Sequence, residues 1–294
     1  MHLPSTKPGR PAMKRISVDP IDVALSEDIG EGDLTTDSFV SKNQQATARI
    51  VAHERATLAG TETAAEVFRR VDSTVEITVV KNDGSEIDAG DSVIELRGQA
   101  RSILRAERVA LNFLQRLSGI ATLTRKFVDA AGTDHVKILD TRKTTPGLRA
   151  LEKAAVVTGG GANHRFGLFD MVLLKDNHLT VSAGFAAVAK AVQKFRETRP
   201  NVRIEVEADA LEQVRAFLQV DGIDVILLDN MKPAQIREAI ALGKDKVKFE
   251  ASGGVTLKNI RQIAATGVDY ISIGALTHSP RAIDFSLELT PLTA

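Results

Sequence analysis

From Val136 onward the sequence alternates short apolar runs with amphipathic ones, and this alternation restricts the fold more than any other feature. VKILD, DMVLL, VRIEVE, DVILLD, VKFEA and DYISIG read as strands. GLRALEKAAVV, SAGFAAVAKAVQKFRE, ALEQVRAFLQ, KPAQIREAIAL and TLKNIRQIAATG, lying between them, read as helices. Short apolar strands each followed by a helix imply a parallel sheet with helical crossovers. Six of them in about 140 residues suit a complete or nearly complete (β/α) barrel, with a doubly wound open sheet as the competing architecture.

The upstream half has a different pattern. ATARIVAHERATLAG, TVEITVVKNDG and AGDSVIELRG alternate at period two between turn signals, and a helical piece spans Thr61 to Val71. This predicts a compact α+β unit without chemistry of its own. An amphipathic helix follows, from about Ala100 to Ala131, with a break expected at Gly119. Arg101, Arg105, Arg108 and Asn112 line its polar side, which by itself reads as a solvated face. Residues 1–20 read as a flexible arm without the apolar stretch of a signal peptide.

In a (β/α) barrel the site is built where the strands end. The first strand ends in Asp140, Arg142 and Lys143, and the second in Lys175, Asp176, Asn177 and His178. The next three bring Glu205 and Glu207, Asp229 and Asn230, then Glu250 and Ser252. Accidental polar residues would scatter along the strands, whereas these collect at one rim. Arg142, Lys143, His164, Arg165 and Lys175 would repel one another unless acids or a polyanion stood opposite. The chain has 38 Lys plus Arg against 38 Asp plus Glu, so this local excess is not a general basic character. The same balance argues against nucleic acid or anionic membrane as partner, and no apolar run is long enough to span a bilayer.

Two glycine-bearing strand ends, ASGGV and IGAL, supply Ser252, Gly253, Gly254 and Gly274. Glycine lets backbone N–H groups close on a phosphate at the start of a helix, and the last two βα-loops of barrels often do this. TGGGANHR lacks the Lys-Ser/Thr pair of a P-loop and does not follow a strand. Glu207, Asp229 and Glu250 suit ribose hydroxyls or a Mg²⁺ bridging to pyrophosphate oxygens. There is no cysteine, which excludes disulfides and thiolate sites and is compatible with a reducing compartment.

EDIGEGDLTTD, ERVALNFLQRLSGIAT, LDTRKTTPGLR and GGGANHRFGLFDMVLLKDNH occur in order and are followed by EVEADALEQ, ILLDNM, ASGGV and YISIGALTHS. In these motifs the chain resembles the quinolinate phosphoribosyltransferases, the carboxylating nicotinate-nucleotide pyrophosphorylases of the type II phosphoribosyltransferase family. The resemblance runs from Ile21 to the C-terminus. It implies an incomplete seven-stranded (β/α) barrel, residues 119–279. It also implies an N-terminal α+β sandwich domain, residues 21–118, completed by the C-terminal tail, residues 280–294. The implied reaction joins quinolinate to phosphoribosyl pyrophosphate, giving nicotinate mononucleotide, pyrophosphate and CO2, with Mg²⁺ and no organic cofactor. By matching position, Arg108, Arg142, His164, Arg165 and Lys175 would bind the quinolinate carboxylates. Lys143 would share in this or face the pyrophosphate, and Lys143 and Lys175 count with Glu207 and Asp229 as catalytic. Glu207 and Asp229 would hold ribose and metal, and Ser252, Gly253, Gly254 and Gly274 the 5′-phosphate.

The resemblance further implies a homodimer, or an assembly of dimers, in which Arg108 reaches the neighbouring site, and a cytoplasmic enzyme. Two other readings compete. A molybdenum-transport-associated paralogue shares the DLTT and TRKT-type elements, but Lys175-Asp176 in LLKDNH fits the quinolinate enzyme better. A non-catalytic barrel sensing an anionic metabolite would have little use for Glu207 and Asp229.

Overall fold

A computed structural model describes residues 18–175, 178, 184–243 and 245–293. Most of the N-terminal arm, Asp176, Asn177 and the Ser182 start of one expected helix lie outside the described residues.

The upstream unit begins at α1 (Pro20–Ile29) and α2 (Leu34–Phe39). Each is started by an aspartate: Asp19 accepts the Ile21 N–H and Asp33 the Thr36 N–H, both at 2.9 Å. These caps satisfy amides that a helix start leaves open, and Pro20 sits where no amide is needed. Then come β1 (Gln45–Ala52), β2 (Ala56–Thr57), α3 (Thr61–Val71), β3 (Glu76–Val79), β4 (Glu86–Ile87) and β5 (Ser92–Gln99).

Helix α4 (Ala100–Ala131) leads into the second unit. It is followed by β6 (Lys137–Leu139), α5 (Arg149–Thr158), β7 (Val172–Leu174), α6 (Phe185–Thr198), β8 (Ile204–Ala208) and α7 (Leu211–Phe217). The chain ends with β9 (Val225–Asp229), α8 (Pro233–Gly243), β10 (Lys248–Ser252), α9 (Ile260–Ala264), β11 (Tyr270–Ser272), α10 (Ala275–His278) and β12 (Phe285–Pro291).

The six strands read from the sequence form one sheet in the order β6-β11-β10-β9-β8-β7, with every pair parallel. Its central strands are buried almost throughout, as expected where helices cover one face and a barrel interior the other. A seventh position exists as a single parallel bridge between Leu139 and Ala162. One bridge leaves no period in the sequence, so the seventh strand of the family could not be counted there.

β12 pairs antiparallel with β1 in the sheet β12-β1-β5-β3, so the C-terminal tail completes the upstream unit. Helix α4 serves both cores. Ile103, Val109, Phe113 and Leu114 belong to the upstream core, and Leu117, Ile120, Phe127 and Ala131 to the barrel core. Its 32 residues span about 48 Å at 1.5 Å per residue.

The break expected at Gly119 is absent, because the helix runs through unbroken. A Cβ there would lie 2.2 Å from the carbonyl oxygen of Arg281, where the chain passes over α4 toward β12. Gly119 therefore serves a close approach rather than a kink. Gly119→Ala adds helix propensity, yet its methyl has no room. A net destabilisation of about 1–3 kcal/mol, read as a lower melting temperature, is expected.

Candidate active site

The rim is built from loops pinned by charges underneath. At the end of β6, Asp140 is fully buried and accepts the His164 backbone N–H at 2.9 Å. Its carboxylate also pairs with Lys153 of α5, whose Nζ donates to the His164 carbonyl at 3.0 Å. Asp140 thus does not face the cavity; it ties the 162–165 segment to β6 and α5. Glu152, equally buried, accepts Arg116 of α4 at 2.8 Å and the Thr145 N–H at 3.1 Å.

Arg149 joins the two cation-bearing loops. It donates to Thr144 Oγ1 and to the Phe166 carbonyl, both at 3.0 Å, and to the Arg142 carbonyl at 3.4 Å. The backbones of 141–145 and 164–166 are therefore fixed, while Arg142 and Lys143 keep exposed side chains.

Arg142 stands close enough to Arg165 to disfavour the latter's charge. Burial, then Arg142, holds the Arg165 guanidinium below its usual value. Guanidinium does not lose its proton, so the arrangement asks for an anion between them. Lys175 is bonded to Glu207 at 3.0 Å, and Asp229 accepts Asn230 Nδ2 at 2.8 Å.

His164 differs from the cation read in the sequence. Its Nδ1 accepts the Arg165 N–H at 2.7 Å, and its Nε2 faces Glu205 at 2.9 Å. With Nδ1 taken by a donor, the imidazole is neutral with its proton on Nε2, and burial lowers its pKa accordingly. Glu250 lies 3.6 Å from the same nitrogen. These three present ligand atoms within 4.8 Å of one another, but Nε2–H···Oε already uses the imidazole nitrogen that a metal would need.

The phosphate-type loops differ from expectation in one respect. α9 starts only at Ile260, so Gly253 and Gly254 lie in a loop between the end of β10 at Ser252 and that helix instead of at a helix N-terminus. Gly253 has φ +89°, and a Cβ there would sit 2.2 Å from Asn230 Oδ1. Gly274 lets Lys143 pass, since a Cβ would meet its Cδ at 3.0 Å.

Eleven of the twelve residues read from the sequence line one cavity of about 790 Å³. Arg108 is the exception, lying exposed on α4 and outside that cavity. Its stripe is not uniform. Arg101 and Arg105 are engaged by Asp37 at the end of α2, with Arg101 also donating to the Val40 carbonyl at 2.8 Å. Sequence reading missed the supports Glu152, Lys153, Arg116 and Arg149, and the cavity residues Thr141, Thr256 and His278. Only the 3.6-residue spacing of Arg149, Glu152 and Lys153 on an otherwise apolar helix hinted at the first group.

Fold and rim together define a class: an α/β-barrel protein whose cleft sets cationic loops opposite carboxylates and glycine-bearing strand ends. Residues 33–118 match the family model for the N-terminal domain of quinolinate phosphoribosyl transferase, and residues 120–288 that for its C-terminal domain. The chain belongs to the quinolinate phosphoribosyltransferase family. It is 45% identical over 265 residues to a probable carboxylating nicotinate-nucleotide pyrophosphorylase of Bacillus subtilis, covering 90% of each chain. It is 41% identical to a decarboxylating, mitochondrial quinolinate phosphoribosyltransferase of Nicotiana glauca, covering 91% of this chain and 80% of that one. The crystal structure of NadC from Streptococcus pyogenes superposes with a TM-score of 0.88 at 41% identity, covering 94% and 96%.

Removing one partner of a buried ion pair leaves the other charge unpaired, which costs about 3–5 kcal/mol. Lys153→Met should lose stability on that scale in denaturant unfolding. Adding Asp140→Asn should return part of the loss, because no buried charge is then left alone.

Proposed function

We propose that the protein transfers the phosphoribosyl group of phosphoribosyl pyrophosphate to quinolinate, with loss of pyrophosphate and CO2, to give nicotinate mononucleotide for NAD synthesis. One observation carries this reading: Arg165, held below its usual value by burial and by Arg142, shares one cavity with Arg142, Glu207, Asp229 and two glycine-bearing strand ends. A flat dicarboxylate answers the arginine pair, since guanidinium forks match carboxylates. The loops at Ser252–Gly254 and Gly274 take the 5′-phosphate, and Glu207 and Asp229 the ribose hydroxyls. Lys143, beside Gly274, and Lys175, released from Glu207, face the pyrophosphate or a substrate carboxylate.

As pyrophosphate leaves, the ribose carbon gains oxocarbenium character, which the two carboxylates stabilise. The hard oxygen donors of Glu207 and Asp229, on neighbouring strands of one rim, would also hold a Mg²⁺. Bound there, the ion would offset charge on the leaving group. Ring-nitrogen attack creates a pyridinium that accepts the electrons of the departing carboxylate. No side-chain nucleophile is needed, since positioning and electrostatics suffice.

The site is completed in a homodimer, with Arg108 of each subunit entering the neighbour's cavity. Its exposure outside its own cavity supports this, as does the anchoring of the arginines one and two turns away. No described helix is long and apolar enough to cross a membrane, and we assign the reaction to the cytoplasm.

Quinolinate, phosphoribosyl pyrophosphate and Mg²⁺ supplied together should give stoichiometric CO2 and pyrophosphate. Nicotinate reacting equally well would refute the carboxylate-reading role of the arginine pair. Arg108→Ala and Lys175→Ala should each abolish activity, while their mixture regains about a quarter of it through one intact site per hybrid dimer. Demonstrated subunit exchange without recovery would exclude a shared site.

A further inference from the structure

The barrel interior beneath the cavity holds two acids that this reaction scheme leaves unused. Glu205 of β8 and Glu250 of β10 are 1% and 2% exposed. They border a smaller chamber of about 170 Å³ together with His164, Arg165, Arg203 and Tyr270. Glu250, His164 and Arg165 line both this chamber and the substrate cavity above, so Glu250 forms part of the floor on which the substrates would rest.

The oxygen Oε1 of each acid receives no N–H or O–H from any described residue. Two carboxylates in one buried site cannot both ionise cheaply, and a proton on one of them supplies the missing donor. The groups facing Glu250 are Glu205 from β8, His164 from the segment after α5 and Ser272 from β11. Arg165 and Arg203 stand next to Glu205. Burial first, and then the Glu205 charge, pushes Glu250 up to about 8, so it keeps its proton at neutral pH. His164 is not an alternative holder, because its Nδ1 is occupied by the Arg165 N–H.

Given the proposed activity, on which this inference rests, the chemistry calls for such a proton. When the bond from ring carbon 2 to its carboxylate breaks, CO2 leaves and the electron pair stays on that carbon, beside the positively charged ring nitrogen. We propose that Glu250 is the acid that then protonates carbon 2. The O–H bond of Glu250 breaks as the C–H bond forms, and water from the chamber beneath restores the proton. That chamber shares Arg203, Val225 and Tyr270 with the open concavity at the opposite end of the barrel, which gives solvent protons a route independent of the substrates.

Single-turnover experiments that follow pyrophosphate and nicotinate mononucleotide separately test this. Glu250→Gln keeps the volume and a hydrogen-bond donor but has no proton to transfer. It should release pyrophosphate within about 3-fold of wild type while forming mononucleotide about 100-fold more slowly, the low end for a lost general acid. Equal loss of both steps, or unchanged product formation, overturns the proposal. Wild type supplies a measurement that does not depend on how the variant folds. Its product-forming step should slow as pH rises through about 8, because the acid form of Glu250 is then lost, while pyrophosphate release should not follow. A product-forming step that stays flat through that range overturns the proposal. Wild type releasing no pyrophosphate at all would instead refute the activity itself.

Discussion

The rim depends on a buried ion pair. Asp140 ends β6, Lys153 lies on α5, and both grip the backbone of His164. Three segments distant in sequence meet at this point. Charges so deep in a protein are costly to desolvate and are tolerated only when paired and hydrogen-bonded. The pair therefore admits few alternative arrangements, which suits a device that sets geometry. Without it, neither the loop of Arg142 and Lys143 nor the segment of His164 and Arg165 would have a fixed start.

The charges above that layer are only partly matched. Below the rim, Glu152 has Arg116 and Asp140 has Lys153. At the rim, Lys175 has Glu207, but Arg142 adds like charge beside Arg165, which burial already holds below its usual value. A protein of zero formal net charge is not short of acids to place there. The local imbalance stores affinity for an anion, and the family to which the chain belongs is one whose substrates are anions. The same separation explains His164. Set between Glu205 and Glu250, it is neutral and structural on the sides that its nitrogens face.

Helix α4 adds a mechanical constraint. It lies in both hydrophobic cores, and its Arg116 reaches Glu152, the acid that holds the Thr145 amide in the loop after β6. The tail that crosses it at Gly119 continues into β12 and closes the upstream sheet. The two units are consequently joined through shared core rather than by a linker, and a change in one is felt in the other.

The six strands, most of the barrel helices and the full span of α4 were legible because apolar periodicity is a local property of the chain, while the last two helices were shorter than read or not read. The rim residues were legible because polar groups cannot end apolar strands without a reason. What stayed hidden needed contacts that spacing along the chain does not show. Asp140 read as one more rim charge until Lys153 enclosed it, and Gly119 read as a break until the Arg281 carbonyl lay against it. His164 read as a cation until its nitrogens met Arg165 and Glu205. The seventh strand amounts to one bridge at Ala162, too short to leave a period. The sequence by itself determined which elements form and which side chains gather at the strand ends, since both follow from spacing along the chain. Only the tertiary structure decided which of those charges are paired, which are neutral and which stand open to a ligand, because burial and through-space distance set protonation and pairing.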